Sequence, residues 1–271
     1  MIFDILTIFP EFFRGPLEHG IVRRAQAAGL LEVRIHDLRA FTRDRHRTVD
    51  DRPFGGGEGM VLKPEPVVEC LESLGLWSRQ SRQAGSESVI LTSAQGELFS
   101  QAVAGELAAL HRVVLICGRY EGVDERIAEF VADREISVGN YVLSGGELPA
   151  AIIVDAVTRL LPGALGNQAS AWQESFSPEG KAAADDTAPD STCASGGLLD
   201  YPHYTRPAEY RGWRVPEVLL GGNHDEIRRW RRRKALEKTL RNRPELLPQT
   251  ALSGEDQNLL EEIRKQVAPS R

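Results

Sequence analysis

The first 165 residues alternate two hydrophobic patterns, and that alternation restricts the fold more than any other feature of the chain. Short β-branched and aromatic runs recur as "IFDILTIF" (2–9), "LLEVRIHDL" (30–38), "SVILTS" (88–93), "VVLICG" (113–118) and "REISVG" (134–139). Runs such as 88–93 and 113–118 have no polar face, as expected of strands inside a parallel sheet covered on both sides. The intervening segments 17–29, 64–75, 99–110, 122–132 and 147–163 carry helical spacing. Prolines at the start of 64–75 and Gly75 at its end mark that helix's limits. Strand and helix take turns, so the pattern predicts an α/β domain over 1–165.

The pattern then stops. Residues 178–197, "PEGKAAADDTAPDSTCASGG", contain almost no large apolar side chain. Such a composition cannot offset the entropy of ordering, so 166–197 reads as a flexible linker between domains. Beyond it, "EIRRWRRRKALEKTLRN" (226–242) and "SGEDQNLLEEIRKQVA" (253–268) are helical, the second with Ser253 as N-cap. A small all-helical domain over 198–271 is expected. There are no internal repeats.

Charge sharpens this division. The 271-residue chain has net charge −6, yet residues 224–243 hold nine Lys/Arg against three acids and carry +6, leaving −12 elsewhere. An acidic body with one basic helix suits a local contact with a polyanion, since phosphate binding depends on charge at the contact surface. Arg228, Arg229 and Arg232 are the candidate contacts. The opening residues lack the basic start and cleavage site of a signal peptide, and no run reaches membrane-spanning length. Cys70, Cys117 and Cys193 are scattered without a CxxC pair, which argues against disulfides or zinc and for a cytoplasmic setting.

Glycine gathers in three loops: "GGGEG" (55–59), "GRYEG" (118–122) and "SVGNYVLSGGELP" (137–149). The last two follow predicted strands, where α/β sheets place their ligand crevice. None matches GxGxxG or GxxxxGK[ST], so neither an ordinary dinucleotide site nor a P-loop is present. Turns of this kind suit a ligand read by backbone N–H and C=O groups, for which a nucleoside is one candidate.

"DRHRTVDDRPFGGGEGM", "ICGRYEGVDER", "SVGNYVLSGGELPA", "ESF", "GLLDYPHYTRP" and "GGNHDEIRRWR" follow one another in this order. Together they resemble the bacterial tRNA (guanine-N1)-methyltransferases, which modify the guanosine beside the anticodon. The resemblance spans nearly the whole chain outside 178–197. It implies a parallel sheet with a deep trefoil knot of the SPOUT type, a homodimer, and S-adenosylmethionine held in the knot. Periodicity alone predicts no knot. By position, Gly118, Tyr120, Glu121, Val138, Gly139, Asn140, Tyr141, Val142, Leu143, Gly145 and Gly146 would line the donor site. Asp50, Arg52, Asp200 and His203 would meet tRNA or its guanine, with Gly55–Gly59 forming a lid. The family also raises Mg²⁺, although no metal-ligand cluster is visible in the sequence.

Guanine N1 carries a proton, so its methylation needs a base, and a cation to steady charge developing on O6. The resemblance assigns the base to Glu174 in "SAWQESF" and the O6 partner to Arg159 in "DAVTRLLPG". Three departures stand out. Glu174 occupies a position where the family has aspartate, Ala94 replaces a common proline, and 178–197 is longer than usual. A knotted enzyme acting on rRNA or ribose, and an RNA-binding protein without chemistry, are the rival readings.

Overall fold

The computed structural model describes residues 1–166, 174–177 and 195–267. The chain divides into two compact units, Met1–Gly166 and Asn167–Arg271. In the first, chain order runs β1 (Ile2–Thr7), α1 (Gly20–Ala27), β2 (Glu32–Asp37), β3 (Asp50–Asp51) and β4 (Val61–Leu62). Then come α2 (Pro64–Ser73), β5 (Glu87–Leu98), α3 (Gln101–Ala108), β6 (Arg112–Cys117), β7 (Arg134–Ser137) and α4 (Glu147–Thr158).

Five strands form one parallel sheet in the order β2-β1-β6-β5-β7. Alternate residues point to opposite faces, and both faces are apolar. Phe3, Ile5, Ile90, Val113 and Leu115 pack against the inner sides of α1, α3 and α4. Leu6, Val89, Leu91, Val114 and Ile116 pack against Val67, Cys70 and Leu71 of α2 and against Ile127 and Val131. The sheet is thus the middle of three layers, which explains why its strands read as continuous apolar runs.

Segment 122–132, expected as an amphipathic helix, is shorter and ends in a π-type turn, Ile127–Val131. Strand β5 is longer than expected. Thr92 and Glu97 both align with Ile136, so residues 93–96 bulge out of the ladder at the sheet's C-terminal edge. β3 and β4 form a small antiparallel pair that carries the glycine loop at its turn.

The second unit is not purely helical. Alongside α5 (His224–Asn242) and α6 (Gly254–Val267) it holds an antiparallel ribbon, β8 (Glu209–Tyr210) with β9 (Trp213–Arg214). Arg211 and Gly212, at φ 54° and 83°, make the two-residue turn that closes it. The core of this unit is Leu198, Leu236, Leu247, Leu259, Leu260 and Ile263. Asn223 caps α5 by accepting the Glu226 N–H at 3.4 Å. Ser253 and Asp256 cap α6 reciprocally: the Asp256 N–H donates to Ser253 Oγ, and the Ser253 N–H donates to Asp256 Oδ2, each at 3.1 Å.

Most of the segment expected to be flexible lies outside the described residues. Its end does not: Ser195 is buried, and Gly197 N–H donates to Ser177 O at 2.8 Å. Among the described residues no helix is long and apolar enough to cross a membrane.

Candidate functional site

The C-terminal ends of β5, β6 and β7 enclose a cavity of about 230 Å³. Three loops build it: the β5 bulge, the turn after β6 and the long connection from β7 to α4. Of the residues expected around the donor, Gly118, Tyr120, Glu121, Val138, Gly139, Tyr141, Val142, Leu143, Gly145 and Gly146 line the cavity. Asn140 does not. Its neighbours on both sides line the cavity, so the chain turns through Asn140 with that residue outside the lining. Sequence reasoning passed over Thr92, Ser93 and Gln95, which line the same space. Thr92 is the last paired residue before the bulge and the other two lie in it, and a bulge leaves no trace in hydrophobic periodicity.

The two glycine loops at the strand ends approach each other closely. Gly146 N–H donates to Gly118 O at 2.8 Å. A Cβ on Gly146 would stand 2.6 Å from Cys117 Cα and 2.8 Å from Gly118 N. Only glycine lets these two backbones meet, and their meeting forms one wall of the cavity.

A buried ion pair holds that wall. Glu147, in the first turn of α4 and 1% exposed, accepts from Arg119 Nε at 2.9 Å and from the Thr7 hydroxyl at 2.7 Å. Arg119 also donates to Ser144 O at 3.1 Å and lies over the Phe9 ring. The ends of β1 and β6, the turn before α4, and α4 itself are joined through this one guanidinium.

The glycine loop 55–59 is tied to the same place. Glu121 N–H donates to Met60 O and Leu62 N–H to Gly122 O, both at 3.0 Å. Tyr120 sits in the left-handed region at φ 59°, with the Asp50 carboxylate of β3 near its hydroxyl. Burial first, and then that neighbouring carboxylate, raise the Tyr120 pKa above its ordinary value. Asp50 is therefore brought to the cavity. Arg52 is exposed, and its backbone N–H donates to Asp51 Oδ1 at 2.8 Å.

Neither Cys70 nor Cys117 offers a nucleophile. Burial pushes the Cys70 thiol up to about 12 and Cys117 well above its usual value. Among the described residues, no three His, Cys, Asp or Glu side chains gather as a metal site.

Arg159 is the C-cap just beyond α4 in the first unit and is half-buried. Glu174 lies in the second unit, within a short stretch knitted to 195–200. There Phe176 N–H donates to Leu198 O, and Asp200 N–H to Ser175 Oγ, both at 2.9 Å. Asp200 also pairs with His203 Nε2 at 2.8 Å, and the His203 ring stacks on Tyr201. The basic helix α5 is less uniform than its sequence. Arg232 is held by Asp256, Arg233 by Glu237 and Glu262, and Lys234 by Glu237. Arg228 has a loose 3.5 Å contact to Asp225, and Arg229 is exposed.

Fold and site together define a parallel α/β protein whose ligand pocket is lined by main chain at the strand ends. Residues 1–249 match the family model described as tRNA (Guanine-1)-methyltransferase TrmD, and the chain belongs to that family. It is 67% identical over 261 residues to a tRNA (guanine-N(1)-)-methyltransferase of Koribacter versatilis, covering 96% of this chain and 97% of the relative. Enzymes of the same description from Dictyoglomus turgidum and Geobacter metallireducens are 50% and 49% identical, with 97% and 98% of each chain covered.

Proposed function

We propose that the protein is a tRNA methyltransferase that moves a methyl group from S-adenosylmethionine to N1 of the guanosine 3′ of the anticodon. One observation carries the reading beyond the family: the cavity wall where Gly146 meets Gly118, backbone against backbone, at the end of a parallel sheet. A nucleoside donor needs this kind of surface, with carbonyl and N–H groups exposed to adenine and ribose. When bound there, S-adenosylmethionine supplies an electrophilic methyl group.

The chain's own residues do the rest. Glu174 takes the proton from N1 as the new N–C bond forms, and Arg159 donates to O6, where negative charge accumulates. Asp50, beside Tyr120, faces the guanine, and the glycine loop closes over it. The bond from Gly146, after β7, to Gly118, at the end of β6, supports the reading of a SPOUT-type trefoil knot there. Leu148 and Ile152 lie one turn apart on α4, are 47% and 44% exposed, and with Val142 at 87% supply an apolar face for a second copy of the chain. Arg228 and Arg229 contact the RNA backbone. The reaction takes place in the cytoplasm.

The test is transfer of labelled methyl to an unmodified tRNA transcript and to one with adenosine in place of the target guanosine. Only the first is expected to be labelled. Glu174→Gln is expected to lower kcat by about 100-fold or more, the usual share of a general base. Full activity of that variant at saturating tRNA would remove Glu174 from the reaction.

A further inference from the structure

In sequence, residues 44–52, "DRHRTVDDR", balance acids against bases. In space the two kinds separate. Asp44 commits both carboxylate oxygens to its own loop. Oδ2 accepts from the Thr48 hydroxyl at 2.8 Å and the His46 N–H at 3.0 Å, and Oδ1 accepts from the Thr48 N–H at 3.0 Å. Asp51 accepts the Arg52 N–H at 2.8 Å, and Asp50 lies near the Tyr120 hydroxyl. Every acid of the run is turned onto the loop or Tyr120.

The arginines are left facing solvent. Arg45, Arg47 and Arg52 are exposed, and among the described residues no carboxylate pairs with any of them. The loop is nonetheless built rather than slack. Arg47 N–H donates to Asp44 O at 3.1 Å, and Arg39 Nη1 reaches Arg47 O at 3.3 Å. Val49, 2% exposed, anchors the next residues to the core. Arg47 is held at φ 52°, a conformation a non-glycine residue keeps only when its surroundings impose it.

We infer that Arg45 and Arg47, alongside Arg52, form a guanidinium edge that grips RNA phosphates next to the cavity. The inference rests on the RNA reading above and adds a phosphate site on the first unit, apart from α5. The composition of the edge selects the occupant. From Arg43 to Arg52 the one apolar side chain is Val49, which is buried, and the exposed Phe54 just beyond the run offers a flat ring of the kind on which RNA bases stack. A phosphate backbone needs only forked cations at fixed spacing. Asp50 pairs with Leu62, whose N–H donates to Gly122 O at 3.0 Å beside the cavity, which puts the contact on nucleotides flanking the target.

The experiment compares the full chain with Arg45→Gln/Arg47→Gln in binding an unmodified tRNA transcript across a series of salt concentrations. Donor affinity is measured by calorimetry and assembly by sedimentation. The slope of log affinity against log salt is expected to become shallower by about 1.4–1.8, from two lost phosphate contacts at roughly 0.7–0.9 each. Donor affinity and sedimentation stay as they were, and Arg45→Lys/Arg47→Lys keeps most of the slope. An unchanged slope overturns the inference. So does a change of oligomeric state in its place, which would make the edge a protein interface. If the unsubstituted protein binds no transcript at all, the RNA reading itself fails, and this one with it.

Discussion

Arg232 and Asp256 are joined by two hydrogen bonds, Nε to Oδ1 at 2.6 Å and Nη2 to Oδ2 at 2.8 Å. Arg232 also donates to Ser195 O at 3.2 Å, so the guanidinium links α5, α6 and the end of the inter-domain segment. A side chain held this way stabilises the second unit and is poorly placed to release its partners for RNA. Arg232→Ala is expected to destabilise the protein by roughly 2 kcal/mol, below the roughly 3–5 kcal/mol of a fully buried broken pair because Arg232 keeps some solvent contact. Arg228→Ala/Arg229→Ala should instead leave the melting temperature alone and weaken tRNA binding. A thermal melt and a salt titration separate the two effects.

The same pair predicts a pH dependence. Burial alone would raise the Asp256 pKa, but hydrogen bonds from Arg232 and Ser253 outweigh it and leave it below its usual 3.8. A depressed folded pKa gives stability that is complete above 3.8 and is lost as pH falls through the folded value. The difference in melting temperature between the unsubstituted protein and Asp256→Asn is expected to stay flat from about pH 7 to 5 and to shrink below about pH 4. A difference that grew in acid would contradict the assigned sign.

Glu147 is the buried half of the ion pair behind the cavity wall. Glu147→Gln keeps one acceptor oxygen but removes the negative charge, so Arg119 is left without its buried ionic partner. The expected cost is about 3 kcal/mol in stability, the low end for a broken buried pair. Donor affinity should fall by about tenfold, equal to 1.4 kcal/mol, because Arg119 also fixes Ser144 in the turn that lines the cavity. Calorimetry on the folded variant reads the second effect separately from the first.

What the sequence disclosed and what it hid follow the range of the interactions concerned. Strand runs such as 113–118 and helix limits such as Pro64 or Ser253 are local signals, and the structure places the elements within a few residues of them. The glycines that line the cavity were legible because a glycine cluster after a strand is itself local. The pairing of Arg232 with Asp256, or of Arg233 with Glu262, spans 24 and 29 residues and leaves no pattern in the basic run. The separation of acids from arginines in 44–52 was hidden differently, since it depends on which way each side chain turns. The bulge at 93–96 needs a partner strand to be a bulge at all.

Gly146→Ala tests the cavity wall directly. The new Cβ would overlap Cys117 Cα and Gly118 N, both main chain, so the neighbouring backbone must move. Overpacking of this kind costs about 1–3 kcal/mol in a close-packed site. The variant is expected to fold, melt lower and lose measurable donor binding. Donor affinity equal to that of the unsubstituted protein would mean that the ligand does not use this wall.

The insertion after Ser177 is expected to be dispensable for catalysis, and the reason lies in how its ends are held. Gly197 N–H donates to Ser177 O at 2.8 Å, the Ser195 hydroxyl donates to the same oxygen at 3.3 Å, and Phe176 N–H donates to Leu198 O at 2.9 Å. The chain leaves and returns at one point, so the segment in between exerts little leverage on Glu174. Loop-closure entropy changes by only about 0.6 kcal/mol for each halving of length. Deleting 179–193 is therefore expected to keep methylation within about twofold and to raise stability by roughly 1 kcal/mol. Extending the deletion through Ser195 removes its bond to Ser177 and the carbonyl that receives Arg232 at 3.2 Å, and that variant should melt lower. Equal melting temperatures for the two deletions would show that the clamp around Ser195 holds nothing.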